Sequence, residues 1–366
     1  LAAQILGDLG AEVLKVEAPW GDETRRWGPP FRGDVATYFW SCNRNRASLV
    51  LDLAQEGGRE RLVELAAAAD VVIDNFTPAR RAKLGLGPEL LARHNPALIS
   101  VSITGYSGKR VEEPGYDLIV QAESGLMGIT GPADGEPHKV GVALVDVMTG
   151  MMAANAALAA LVRQARTGRG AALTVSLWRT AAFSLVNVAS AALIAGTRAE
   201  RWGNAHPSLV PYESFAAADR TIVIGVGSDQ QWQKCCEALG IRDVGLRELD
   251  NAGRVARRGD IVATLADIVR AWPAAELVER LRAAGVPAAP VLRPDEALGA
   301  MRRADPGALV AVGAEGDELV ALPIVGDGVQ RTHTAPPALG EGGEEMARRW
   351  VERGTGYLGR GLSRER

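Results

Sequence analysis

Apolar positions along the first half of the chain alternate between two patterns. Short β-branched runs at 12–17 (EVLKVE), 48–53 (SLVLDL), 70–76 (DVVIDNF) and 97–104 (ALISVSIT) are each bounded by turn residues. Stretches with helical spacing separate them, which predicts an open parallel α/β sheet of Rossmann type. The opening LAAQILGDLG places Leu1, Ile5, Leu6 and Leu9 on one stripe, with Gly10 as the stop. The sequence enters directly in that helix, without Met. The first strand of a βαβ unit and the loop after it are therefore expected to be absent. In such sheets ligands lie beyond the carboxyl ends of the strands, which singles out the loops in DNFTPARRAK and ITGYSGKR.

Residues 147–166 are apolar nearly all round, predicting a helix buried on every side, and Gly168 and Gly170 supply its stop. The apolar stretch 179–196 is short for a membrane span and Ala-heavy, and predicts another buried helix. Asp146 falls at the first turn of the 147–166 helix. Two readings stay open for it: a carboxylate aimed into a site, or an N-cap. A second unit starts near Tyr212, with a strand at 221–226, helices at 229–239, 258–271 and 274–284, and a strand at 286–292. A β-rich piece and a Pro-containing linker follow, then a last helix at 341–352, expected to pack back on the first domain.

Composition narrows the function classes. A chain of 366 residues, 47% hydrophobic and 23% charged, fits a two-domain globular protein and excludes disorder and coiled coil. The net charge of −3, without a block of like charge, argues against a nucleic-acid partner. Cys42, Cys235 and Cys236 form no CxxC, and His94, His138, His206 and His333 are scattered, so no metal site is expected and a reducing, cytoplasmic compartment fits. No secretory segment opens the chain, and no membrane association is expected. The dinucleotide fingerprint fails at Gln230 after Gly225 and Gly227, and no phosphate-binding GxxxxGK[ST] occurs.

Longer strings carry more. LGDLGAEVLKVEAPWGDETRRWGPPF, NRNRASLVLDL, DNFTPARRAKLGL, SITGYSG, PGYDLIVQAESGLMGITG, VGVALVDVMTGMMAANAALAAL, RWGNAHPSLVPYESFAAADRTIVIGVGSDQQWQ, AGVPAAPVL and PPALGE run in this order from Leu1 to about Glu352. Together they resemble the class III (CaiB/BaiF-type) CoA-transferase family. The resemblance implies an interlocked-ring dimer. Its large Rossmann-like domain is expected at 1–195 and 325–366, a small α+β domain at 205–305, and linkers at 196–204 and 306–324. It also implies exchange of CoA between an acyl-CoA and a free carboxylic acid, with coenzyme A as substrate and no permanently bound cofactor.

The aspartate matching the family's nucleophile is Asp146, which replaces the cap reading. The same match places Asn75, Phe76 and Lys83 at the CoA moiety, Leu51, Ala54 and Leu84 along its path, and Tyr116 near the thioester; an arginine contact of formyl-CoA transferase matches Ala18. Trp27 matches an active-site tryptophan. The family's glutamine near the nucleophile falls in the expected missing segment. GNAHPSLVPYESF, with SGLMGITG, resembles the succinyl-CoA-dependent dicarboxylate transferases, glutarate-type enzymes among them. For a second carboxylate, Arg25, Arg44 and Arg46 are candidate partners, each equally readable as a structural ion-pair residue. His206 is either a substrate-side residue or a turn histidine. Asp117 and Glu123 lie near the site without an assigned role. Related α-methylacyl-CoA racemases place a histidine where Tyr116 stands; racemase, or a CoA-binding homologue without catalysis, is the runner-up.

Overall fold

Buried parallel strands need both faces covered, and the first half of the chain supplies a helix for each. In the computed structural model, which describes residues 1–330 and 332–354, α1 (Ala2–Asp8) leads to β1 (Leu14–Glu17), a small antiparallel pair β2 (Phe31–Arg32) and β3 (Val35–Ala36), α2 (Thr37–Cys42) and β4 (Ala47–Val50). Strands β1 and β4 pair in parallel, Val16 beside Leu49. Next come α3 (Glu56–Ala68), β5 (Val71–Asp74), α4 (Pro78–Lys83), α5 (Pro88–His94), β6 (Ile99–Thr104), α6 (Asp117–Glu123), α7 (Leu144–Thr167), β7 (Ala171–Ser176), α8 (Leu177–Ser184) and α9 (Val186–Ala195). Strand β6 lies between β5 and β7, all parallel, and is almost wholly buried. Gly170 lets β7 begin beside β6: a Cβ there would meet the Leu98 carbonyl oxygen at 1.9 Å. Gly168 ends α7 in the left-handed conformation at φ 67°, its amide donating to Gln164 O, as the sequence predicts.

The chain divides into two units. The first comprises 1–126, 140–195 and the described residues of 304–354; the second comprises 127–139 and 196–303, and 355–366, expected in the large domain, lie outside the described residues. In the second, β8 (Tyr212–Ala216), β9 (Thr221–Gly225) and β10 (Ala288–Pro290) form an antiparallel sheet in the order β10-β9-β8. Helices α10 (Asp229–Leu239), α11 (Val244–Arg247), α12 (Asn251–Ala256), α13 (Arg258–Arg270) and α14 (Ala274–Ala283) accompany it. Its core gathers Ile222, Ile224, Trp232, Ile261, Leu265 and Leu277, and the Trp232 ring nitrogen donates to Leu246 O at 2.9 Å. After α15 (Pro294–Ala304), the antiparallel pair β11 (Leu309–Val312) and β12 (Asp317–Val320) and the last helix α16 (Gly343–Arg353) return to the first unit. There Ala347 of α16 packs on Leu49 and Leu65.

Three expectations need correction. Helix α7 is not buried all round: Ala153, Ala154, Ala157 and Ala160 enter the core, while Val147, Met151, Met152 and Val162 are exposed. The stretch 179–196 is not one buried helix but α8 and α9, bent by 80° where Val186 takes φ 40°, and no residue of α9 is buried. Apolar character on every face does not say what covers each face, so periodicity cannot separate a core helix from one with a bare side. Finally, 127–139 packs with the second unit, and 306–324, expected as a linker, carries the β11–β12 pair within the first.

Candidate active site

Helix α7 begins after Ala143, whose methyl cannot accept a hydrogen bond, so its first amides need a partner from elsewhere. Asp117, the first residue of α6, supplies it: Oδ1 accepts from the amides of Val145 at 2.8 Å and Asp146 at 3.3 Å. Asp117 is itself held by Gln121, whose side-chain amide donates to Oδ2 at 2.6 Å and whose Oε1 accepts from Val140 N at 2.9 Å. Both side chains are buried. The loop entering α6 is pinned by Gly105 and Gly115, where a Cβ on Gly115 would fall 2.5 Å from the Gly105 Cα.

Asp146 therefore does not cap its own helix; its carboxylate is left over, open to solvent at the third position of α7. Crowding by protein on its other sides is the leading cause that pushes its carboxyl up to about 6, with the like charge of Asp117 adding. Tyr38, on α2, is raised by burial and by the charges of Asp146, Cys42 and Asp117. Trp27 meets the Tyr38 ring edge-on at 5.3 Å. Asp146, Asp117, Tyr38, Trp27 and Cys42 thus form one neighbourhood in the first unit.

The three candidate arginines separate cleanly. Arg44 is 2% exposed and chelates Asp8, its remaining nitrogen donating to Val320 O at 2.8 Å. Arg25 is buried in a two-bond pair with Glu17, donates to Pro337 O and lies 3.9 Å over the Phe39 ring. Neither is free to meet a substrate, correcting that expectation for both. Arg46 differs: it donates to Asn43 Oδ1 at 3.0 Å, Cys42 O at 2.7 Å and Arg44 O at 3.5 Å, all neutral acceptors. Burial pushes its guanidinium down to about 10, with Cys42 and three nearby carboxylates pulling the other way.

Of the residues expected at CoA, Leu51 and Ala54 follow β4, Asn75 and Phe76 follow β5, Lys83 and Leu84 end α4, and Tyr116 precedes α6. A buried Asp74–Arg81 pair at 3.0 Å shapes the loop after β5, Asp74 also accepting from Phe76 N at 3.1 Å. Asn75 and Lys83 are exposed, Phe76 is half-buried, and Thr77 caps α4 through Arg80 N. Leu84 is buried in a core with Leu86 and Leu91, and its edge, with Lys83, Arg59, Val63 and Val351, borders a groove of about 760 Å³. Leu51 is half-buried and Ala54 exposed, and Tyr116 is 70% exposed after β6. Ala18 is half-buried, without a side chain to reach a phosphate. Glu123 pairs with Arg110 at 2.9 Å. His206 belongs to the second unit, where Nδ1 accepts from Ser208 N at 3.0 Å and the ring meets Tyr212 edge-on, the turn reading. Among the described residues no cluster of His, Cys, Asp and Glu could hold a metal. Sequence reasoning missed Tyr38, Cys42 and the capping role of Asp117; nothing local signals a cap 28 residues away.

The sequence model of CoA-transferase family III matches residues 1–342. The chain is similar to succinyl-CoA:glutarate CoA-transferase of Mus musculus, 40% identical over 295 residues, which cover 79% of this chain and 68% of that protein. A succinate–glutarate CoA-transferase of Agrobacterium fabrum is 39% identical over 301 residues, covering 79% and 75%. Among solved structures, a CAIB/BAIF family protein from Brucella suis superposes with a TM-score of 0.85 at 36% identity, covering 95% of this chain and 94% of that one.

Proposed function

Because the chain belongs to CoA-transferase family III, we propose that it moves CoA from succinyl-CoA, or a similar acyl-CoA, to a free dicarboxylic acid, with Asp146 as nucleophile. The observation that carries this reading is the Asp146 carboxylate itself, exempt from capping and open to solvent on a helix start that another carboxylate fixes. With its carboxyl at about 6, it is about tenfold more ionised than protonated at pH 7, so it attacks without a general base. Its oxygen adds to the thioester carbon, CoA thiolate leaves, and an aspartyl–acyl anhydride remains. The thiolate then attacks the aspartyl carbonyl, giving an aspartyl-CoA thioester and the free donor acid. The acceptor carboxylate reverses both steps. One thioester is broken and a similar one made, so no ATP enters the balance. The site's task is to orient the acids and exclude water from the anhydride.

Asn75, Phe76 and Lys83 are assigned to CoA, Leu51, Ala54 and Leu84 to its path, and Tyr116 to the thioester end. Among the described residues no carboxylate pairs with Lys83, which leaves its charge for a phosphate; lacking a guanidinium, it binds as a point charge. Arg46 is assigned to the far carboxylate of the acid, since among the described residues its donors meet only neutral oxygens; Trp27 and Tyr38 would line that side. The relatives named for succinate and glutarate support a dicarboxylate pair. A racemase is not favoured, because a phenol rather than an imidazole stands at 116, and a phenol is poor for shuttling protons. A homodimer accounts for the bare apolar side chains of α7 and α9, such as Met151, Leu193 and Ile194. The free thiols support a reducing, cytoplasmic compartment.

Incubation with succinyl-CoA and a panel of C2 to C6 dicarboxylic acids tests the reading. Transfer to a dicarboxylic acid, lost in Asp146→Ala, is the expected outcome, and undiminished turnover by that variant overturns it. Proton exchange at the α-carbon of a 2-methylacyl-CoA without any acceptor would establish the racemase instead.

A further inference from the structure

We propose that Asp117 is a positioning residue for Asp146, one oxygen of its buried carboxylate clamping the first amides of α7 so that the nucleophile leaves from a fixed backbone. This rests on reading Asp146 as the nucleophile. The accounting at the helix start is complete: Leu144 N donates to Val142 O, Val145 N and Asp146 N to Asp117, and Val147 N to Ala143 O. Among the described residues nothing else takes the middle two. Gln121 makes the clamp rigid, for it is fully buried, donates to the second Asp117 oxygen and accepts from Val140, so the segment entering α7 and the helix itself hang on one side-chain chain.

The choice of aspartate follows from donor arithmetic. Two backbone amides and one side-chain amide all donate, and only an acceptor-only carboxylate answers all three. Asparagine could keep Oδ1 toward the α7 amides but would turn its own NH2 against the Gln121 NH2. Flipping Gln121 relieves that clash but takes away the oxygen that accepts from the Val140 amide. The charge has a second consequence. From α6, Asp117 raises the proton affinity of Asp146, and Tyr38 and Cys42 from α2 face the same space. A clamp that is also a like charge keeps the nucleophile less acidic, hence more reactive once ionised, while leaving it ionised at neutral pH.

Asp117→Asn and the swap Asp117→Asn with Gln121→Glu separate the two effects. In the swap the asparagine NH2 donates to the new carboxylate, whose other oxygen still accepts from Val140. Turnover is measured across pH, and in parallel Asp146 is labelled with a water-soluble carbodiimide and an amine, which consumes the protonated carboxyl, and quantified by peptide mass spectrometry. Labelling needs no transferase activity, so a failure of the proposed reaction and a failure of the Asp117 role read differently. The expected result has three parts. Asp146 in the parent is half-labelled near pH 6. In Asp117→Asn that midpoint falls by about 1 pH unit and turnover by about tenfold. In the swap turnover returns to within about threefold of the parent. Thermal melting identifies any variant that has not folded, and Asp117→Glu, which keeps the charge, then replaces it as a second probe: it should retain the parent midpoint while losing turnover. An unmoved labelling midpoint in folded Asp117→Asn overturns the proposal, as does a swap that recovers no turnover.

Discussion

Replacing Arg44 by alanine should destabilise the first unit by about 3–5 kcal/mol, the cost of breaking a buried ion pair from one side. The side chains of Arg44 and Asp8 are 3% and 1% exposed. Arg44 Nε sits 3.0 and 3.2 Å from the two Asp8 oxygens, Nη2 reaches one of them at 2.5 Å, and Nη1 ties the pair to Val320 O at 2.8 Å. Truncation leaves Asp8 with the Asn45 side-chain amide at 2.7 Å and the His333 ring at 3.6 Å. At that burial water cannot replace the guanidinium, so the carboxylate is stranded rather than merely unpaired. For a unit of this size the loss corresponds to a melting point about 10 °C lower. Urea unfolding at pH 7 measures it, with Asp8→Leu plus Arg44→Met as the companion: removing both charges at similar volume should recover most of the loss. An Arg44→Ala protein within about 1 kcal/mol of the parent, but with KM for the acceptor acid raised tenfold or more, would refute the reasoning and restore Arg44 as a substrate group.

Arg46→Gln should behave in the opposite way, raising KM for a dicarboxylic acceptor about tenfold or more while shifting unfolding by less than about 1 kcal/mol; equal effects on mono- and dicarboxylic acceptors would remove it from the site. Activity should fall below about pH 6 as Asp146 takes its proton. The stability sign follows from the same group. The Asp146 carboxyl is raised from 3.8 to about 6 on folding, so the stability it contributes is full below about pH 4 and lost as pH rises through 6. Asp146→Asn, which does not titrate, should therefore gain melting temperature on the parent between pH 4 and 6 and keep that gain at pH 8; parallel curves over the whole range contradict this. Gly115→Ala drives a Cβ to 2.5 Å from the Gly105 Cα and should cost about 1–3 kcal/mol, with a turnover loss beyond that because Tyr116 and Asp117 follow directly; wild-type turnover in the variant would show that the loop tolerates the shift.

Local chemistry made much of the first unit legible. The β-branched runs became β1, β4, β5 and β6, and Gly168 stops α7 as its position predicts. The bend at Val186 was illegible, since a β-branched residue is a poor choice for positive φ and no turn residue marks the place. Asp146 stood out only through the resemblance; cap preference alone favoured the wrong role, because the true cap comes from Asp117 on another helix. The arginines failed for the same reason. Arg25, Arg44 and Arg46 look alike in sequence, yet the partners that tell them apart lie 8 residues away for Arg25 and 36 for Arg44. Long-range pairing of this kind leaves no local trace.

The last helix sets a timetable for synthesis. Gly340 N donates to the Ser48 hydroxyl, Ser48 N donates to Glu341 O, and α16 covers Leu49, so β4 is completed by residues 292 positions later. At about 5–20 residues per second a ribosome needs roughly 15–60 s to deliver them. Throughout that interval β4 lacks these partners, and the second unit, 127–139 and 196–303, is synthesised in full before they arrive. The half of the molecule made first is thus the half finished last, and its exposed β4 face is the stretch that a chaperone would have to guard.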